Sequence, residues 1–204
     1  MQDLLYFRRQ FLLMNTAITE LNVWQYRQVG GKHLYVHPDL EITDYRGSSI
    51  TLLLLGYLFD PAHPSASNKD VLSTIGSHIS NFEDLVNALK PCAGRYALVY
   101  QDQNHLAILH DPLALREIYY STVSNRVICG SQPNLLSRFS NPERGVTRDG
   151  DVLFFYEHDM RRVRFGRLWV GEETYFSHIK HLLLNHYLDV ATLNQASPSG
   201  DGAL

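Results

Sequence analysis

GRYALVYQDQNHLAILHDPLALREIYYSTVSNRVICGSQPNLL, residues Gly94 to Leu136, carries the reading of the fold. Arg95–Gln101 and His105–His110 are rich in β-branched, aromatic and aliphatic residues, and Asp102–Gln103–Asn104 between them suits a tight turn. A polar corner follows at Asp111–Arg116. Ile118–Thr122 and Arg126–Cys129 then read as short strands paired around Ser124–Asn125. Gln132–Phe139 reads as a helix with Pro133 in its first turn, where the missing N–H removes no helical bond.

Working outward, Ile50–Phe59 (ITLLLLGYLF) is an unbroken apolar run of strand length, as expected of a strand covered on both faces. The Pro/Ser loop Asp60–Ser67 precedes a helix over Lys69–Ile79. Ser67 or Asn68 serves as its cap, and Asp70 in the first turn suits the helix dipole. A second helix, Phe82–Leu89, stops before Pro91. Upstream, Asn22–Gln28 and His33–His37 form a hairpin at Gly30–Gly31, and Leu40–Ser48 is a loop or weak edge strand.

Residues 3–14 read as an amphipathic helix with Leu4, Leu5, Phe7, Phe11 and Leu12 on one face and Arg8 and Arg9 towards the other. Past the corner stretch, Ser140–Gly150 is a polar loop and Asp151–His158 looks helical. Arg161, Arg162, Arg164 and Arg167 form a basic cluster that flanks a solvated or partner-contacting helix end. Thr174 caps a short helix reaching Leu184, and His186–Val190 is a last strand. The organisation expected is a helical extension over 1–20, one domain over 21–192 and a disordered tail over 193–204. Helix pairs set between runs of sequential strands give an α+β or layered α/β plan.

Of the 204 residues, 45% are hydrophobic and 19% charged, enough to bury a sizeable core. The net charge of −3 offers no basic footprint for nucleic acid. No apolar run approaches the roughly 20 residues that span a bilayer. The N-terminal arginines interrupt the apolar segment rather than precede it, so neither a signal peptide nor a membrane association is expected. Cys92 and Cys129 form no disulfide framework, and a reducing, cytoplasmic setting is expected. His178, His181 and His186 lack the carboxylate or thiol that would complete a metal site, so no metal and no cofactor is expected. Ser131 lies in no Gly-x-Ser-x-Gly elbow.

These motifs, in order, resemble the amidotransferase domain of asparagine-synthetase-like proteins, which are class II glutamine amidotransferases with the N-terminal-nucleophile (Ntn) hydrolase fold. The resemblance rests on Gly94–Tyr96–Ala97, on the corner Asp111–Ala114–Arg116–Tyr119–Tyr120, on Gly130–Ser131 and on Leu135–Leu136. Gly56–Tyr57 falls at the family's glutamine-binding strand end, and Ser67–Leu72 at its loop and helix. Thr174–Tyr175–Phe176 with Ile179–Asp189 falls at its closing segment, so the resemblance covers roughly residues 33–190. It implies a four-layer αββα sandwich of two antiparallel sheets flanked by helices. Asp111 and Arg116 are then structural, with Arg116 forking onto Asp111 or onto backbone carbonyls.

The resemblance implies a chemistry whose groups are missing. The family's nucleophile is a cysteine at position 2 whose own α-amino group is the base; here the residue is Gln2. The family's oxyanion-holding Asn is Leu55, beside a retained Gly56. Its substrate-binding Asp aligns with Asn68, and its Ser-Glu before the helix is Ser131–Gln132. Processing that exposed Thr16 or Thr19 is the one route back to an N-terminal nucleophile. No Ser-Gly-Gly-x-Asp-Ser pyrophosphate loop or Walker loop occurs. The expectation is a domain with no catalytic residue, whose Leu55, Gly56 and Asn68 mark a vestigial pocket. It would scaffold or regulate a synthetase-like ATP-dependent domain or protein, in cis or in trans, with self-association left open. The alternative is a glutamine amidohydrolase that supplies ammonia for amide formation.

Overall fold

The computed structural model describes residues 7–123, 126–140, 171–174 and 176–197. Among them, twelve strands form two six-stranded sheets, joined by three helices. The first sheet runs β10 (Ile179–His181), β8 (Tyr119–Ser121), β9 (Val127–Gly130), β1 (Phe11–Met14), β3 (Lys32–Val36), β2 (Gln25–Val29). The second runs β12 (Gln195–Ala196), β11 (Tyr187–Asp189), β7 (Leu106–His110), β6 (Ala93–Gln101), β5 (Thr51–Phe59), β4 (Ile42–Arg46). Every strand pair is antiparallel.

Side-chain alternation divides the apolar residues among three cores. Phe11 and Leu13 of β1, Leu53 and Leu55 of β5, and Ala97 and Val99 of β6 meet between the two sheets. The alternate residues of β5 and β6, Leu52, Leu54, Leu58, Tyr96, Leu98 and Tyr100, face away from that layer. They pack on Val71, Leu72 and Ile75 of α1 (Asn68–His78) and Leu85 and Leu89 of α2 (Phe82–Leu89). Leu12 and Met14 of β1 pack on Leu135, Leu136 and Phe139 of α3 (Pro133–Phe139). The layers are therefore helix, sheet, sheet, helix, the αββα sandwich expected. A strand covered on both faces needs no polar alternation, which is why LLLL and FLLM can be strands.

Several local expectations hold. The helix cap is Ser67, whose hydroxyl accepts from Asp70 N at 3.3 Å while Asp70 Oδ2 accepts from Ser67 N at 3.0 Å, a reciprocal capping box. Asn81 caps α2 by accepting from Asp84 N at 2.9 Å. Leu40–Ser48 contains β4, an edge strand.

Three expectations are corrected. Phe11–Met14 is not the end of a helix but β1, held between β9 and β3 in mid-sheet. All four of its side chains are fully buried, which a helix with one polar face would not allow. The segment after Thr174 is not a capped helix. The Thr174 hydroxyl accepts from Phe176 N at 3.1 Å and donates to the Ile179 carbonyl at 2.6 Å, closing a turn that leads into β10. The tail expected over 193–204 begins with ordered backbone, since Gln195–Ala196 pairs with β11. The helix expected over Asp151–His158 and the arginines at 161, 162, 164 and 167 lie outside the described residues, as do Gln2 and residues 198–204.

Candidate functional site

The pairing of β4 with β5 stops at Leu55, while β5 and β6 stay paired to Phe59 and Ala93, and the site lies in this stretch. Gly56 has φ +115°, and a Cβ built on it would stand 2.2 Å from the Arg95 carbonyl oxygen. Gly94 on β6, opposite Leu58, has φ +154°, and a Cβ there would stand 2.3 Å from the Tyr57 carbonyl oxygen. The two backbones approach so closely that only glycine fits at either place. Gly56 N donates to Glu41 O at 2.9 Å, tying the edge of β4 to the same point.

Asn68, the first residue of α1, reaches back to this stretch of β5. Its Nδ2 donates to the Gly56 carbonyl at 3.0 Å and to Glu41 Oε1 at 2.8 Å, and its Oδ1 accepts from Leu58 N at 2.9 Å. Both ends of the amide are therefore engaged in joining β5, α1 and residue 41. Leu55 is next to Gly56 in the chain but not in the site. Its side chain is fully buried between the sheets, and its backbone is opposite Ile42 and Ala97.

The corner between β7 and β8 supplies the remaining wall. Asp111, 1% exposed, accepts from Leu115 N through Oδ1 and from Arg116 N through Oδ2, both at 3.0 Å. Oδ2 also accepts from Tyr96 N at 3.4 Å. Of the two arrangements open to Arg116, the structure holds the backbone one: Nη1 donates to the Arg9 carbonyl at 3.0 Å, while Asp111 serves main-chain N–H groups. Arg116 Nε lies over Gly56, 3.3 Å from where a Cβ would be, and is buried without a hydrogen-bond partner among the described residues. Burial, then the neighbouring Arg95, and also Arg9, draw the Arg116 pKa down to about 10, against the opposing pull of Asp111.

Thus Gly56, Asn68 and Arg116 gather at the later half of β5, Asp111 positions Arg116, and Leu55 belongs to the core. The sequence reading does not single out Glu41, Arg9, Gln10 or Arg95. Arg95 carries the one available signal, a charged residue just after a strand-end glycine. Ser131 ties β9 to β1: its hydroxyl accepts from Phe11 N at 2.8 Å.

Neither cysteine is placed as a nucleophile. Cys129 is fully buried in the inter-sheet core, and burial raises its pKa. Burial, followed by the charge of Asp60, also raises that of Cys92. A thiol held protonated is a poor nucleophile. Among the described residues, no grouping of three His, Cys, Asp or Glu side chains could hold a metal ion. No helix among them is long and apolar enough to cross a membrane.

No family model matches the chain, and no curated protein matches it. Among solved structures, the chain is similar to a glutamine phosphoribosylpyrophosphate amidotransferase from B. subtilis complexed with ADP and GMP. The TM-score is 0.48 at 10% identity, over 95% of this chain and 44% of that one. The chain thus spans less than half the length of that protein, and no residue is carried over from it.

Proposed function

We propose that this chain is a non-catalytic domain of the class II glutamine amidotransferase type that scaffolds or regulates an ATP-dependent synthetase-like domain or protein, in cis or in trans. One observation carries the reading: the side chains at the pocket positions do structural work. Leu55 fills the inter-sheet core, and Asn68 engages both ends of its amide in holding β5 to α1. A leucine cannot donate to a developing oxyanion, where one donor contributes about 3 kcal/mol. Both amide hydrogens of Asn68 are committed to Gly56 and Glu41, and its oxygen, already accepting from Leu58 N, carries no charge to pair with an amino acid's ammonium group. The ordered motifs from Gly94 to Leu136 and the αββα layering support the amidotransferase-type ancestry.

The processed-nucleophile route fares poorly on this fold. A chain opened at Thr16 or Thr19 would lose β1, which sits between β9 and β3. An N-terminal hydroxyl gained that way would come with a sheet split in two.

Glutamine turnover tests the catalytic half of the proposal. The purified chain is expected to release no glutamate from glutamine and to remain unlabelled by a thiol-alkylating glutamine analogue, by intact mass. Glutamate release above the buffer rate would overturn it and favour the amidohydrolase. In-cell crosslinking tests the partner half. Crosslinks to a protein or downstream segment carrying a pyrophosphate loop are expected, and crosslinks between copies of the chain alone would remove that half.

A further inference from the structure

A cavity lies beside the Gly56 cluster, sharing Arg116 with it but none of Leu55, Gly56 or Asn68. It has a volume of about 270 Å³ and is walled by Gln10, Arg95, Arg116, Glu117, Ser131 and the backbone of the corner. This is just under the usual range of small-molecule sites, room for a ligand of amino-acid size. We propose that this cavity binds a compact anion, a carboxylate or phosphate group, between the guanidinium groups of Arg116 and Arg95.

Three features argue for it. The first is charge. Arg9, Arg95 and Arg116 converge at the mouth of the corner, linked by Arg116 Nη1 to the Arg9 carbonyl and by Arg95 Nε to the Leu115 carbonyl at 2.9 Å. Each guanidinium carries five donors, and these bonds use one apiece. The second is the buried Arg116 Nε, which has no partner among the described residues. Buried donors are usually satisfied in native proteins, by protein groups or by water; this one faces Gly56, so the Arg116 donors left for the cavity are those of its terminal guanidinium nitrogens. The third is that Asp111 is taken up by the backbone, which leaves Glu117 as the one carboxylate on the cavity wall. Asp111 accepts from three backbone N–H groups, and Glu117 Oε2 accepts from the Tyr119 hydroxyl at 2.7 Å. A guest anion would relieve the mutual repulsion of the three arginines, which together with burial holds the Arg116 pKa below its usual value. The guanidinium fork suits both carboxylate and phosphate. Anion binding is expected whether or not glutamine is hydrolysed, and so stands apart from the amidotransferase-type reading.

Arginine Nε–Hε resonances of the full-length, ¹⁵N-labelled chain provide the test. Sodium acetate and inorganic phosphate are titrated separately, each against sodium chloride at matched ionic strength. A saturable shift of the Arg116 resonance is expected in at least one arm, weakened about tenfold or more in Arg95→Gln. Arg95 is exposed, so this variant should keep the fold. Saturation by acetate alone assigns a carboxylate ligand, and saturation by phosphate alone a phosphate. Arg116→Lys identifies the resonance; if it fails to fold, assignment passes to Arg95→Lys and the Arg95 signal is followed instead. No saturable shift beyond the chloride control, or one unchanged in Arg95→Gln, would overturn the proposal.

Discussion

The side-chain amide of Asn68 donates to the Gly56 carbonyl at 3.0 Å, fastening the first residue of α1 to the later half of β5. The same nitrogen donates to Glu41, so both acceptors require an N–H at this position. Asn68→Asp would restore the charge the resemblance expects for substrate binding, but would set a carboxylate against a carbonyl and another carboxylate. A lost partner for a half-buried polar group costs about 1–3 kcal/mol. The melting temperature should fall by about 2–10 °C at pH 7. The loss should shrink at acid pH, as the introduced carboxylate takes up a proton and regains a donor. An Asn68→Asp variant as stable as the parent, and newly able to bind glutamine by calorimetry, would show that the site is held for substrate and not for structure.

Gly56 makes a sharper stability prediction, best read against Gly31. Both have positive φ, +115° and +70°, but only Gly56 faces a backbone oxygen that a Cβ would strike. Gly31→Ala has open space and should cost only about 1 kcal/mol of backbone strain. Gly56→Ala must also push β6 away and should cost at least about 3 kcal/mol or abolish folding. Urea denaturation of the two variants measures the gap, and equal losses would mean that the β5–β6 approach is not tight.

How far the sequence reveals this molecule depends on which residues are asked. The β5 run, the Ser67–Asp70 capping box and the Gly30–Gly31 hairpin are legible because each is set by neighbours in the chain. β1 is not: Phe7 and Phe11 stand four apart with arginines between them, which imitates a helix face, and FLLM is too short for period alone to decide. Only its place in mid-sheet, a long-range fact, makes it a strand. Thr174 misleads for a related reason, since a threonine hydroxyl that caps a helix can equally close a turn. At the site, Gly56, Asn68, Asp111 and Arg116 are visible as motif positions. Glu41, Arg9 and Arg95 join them only through the register of β4 against β5 and the approach of residue 9 to the corner.

The central position of β1 also bears on processing. A chain beginning at Thr16 lacks a strand whose four side chains are fully buried in two different cores. Losing several large apolar side chains at about 2–5 kcal/mol each exceeds the whole stability of an ordinary domain. Such a chain should be insoluble or unfolded by circular dichroism. A folded, glutamine-hydrolysing product that starts at Thr16 would reverse the functional reading.

Asp102, in the β6–β7 turn, gives the pH dependence. Burial alone would raise its pKa, but the Tyr100 hydroxyl at 2.7 Å and the backbone N–H groups of Asn104 and His105, each at 2.7 Å, outweigh it and hold the value at about 2. A carboxylate whose folded pKa is depressed stabilises the fold above its unfolded pKa of about 4, and that contribution is lost as pH falls through about 2. Discounted for the part of the site open to water, it amounts to about 1–2 kcal/mol at neutral pH. Asp102→Asn keeps the shape and removes the charge. The variant should be less stable than the parent by this amount at pH 7, and the difference should close between pH 4 and pH 2. Parallel urea midpoints across that interval, with a constant gap, would place the acid sensitivity of the fold elsewhere.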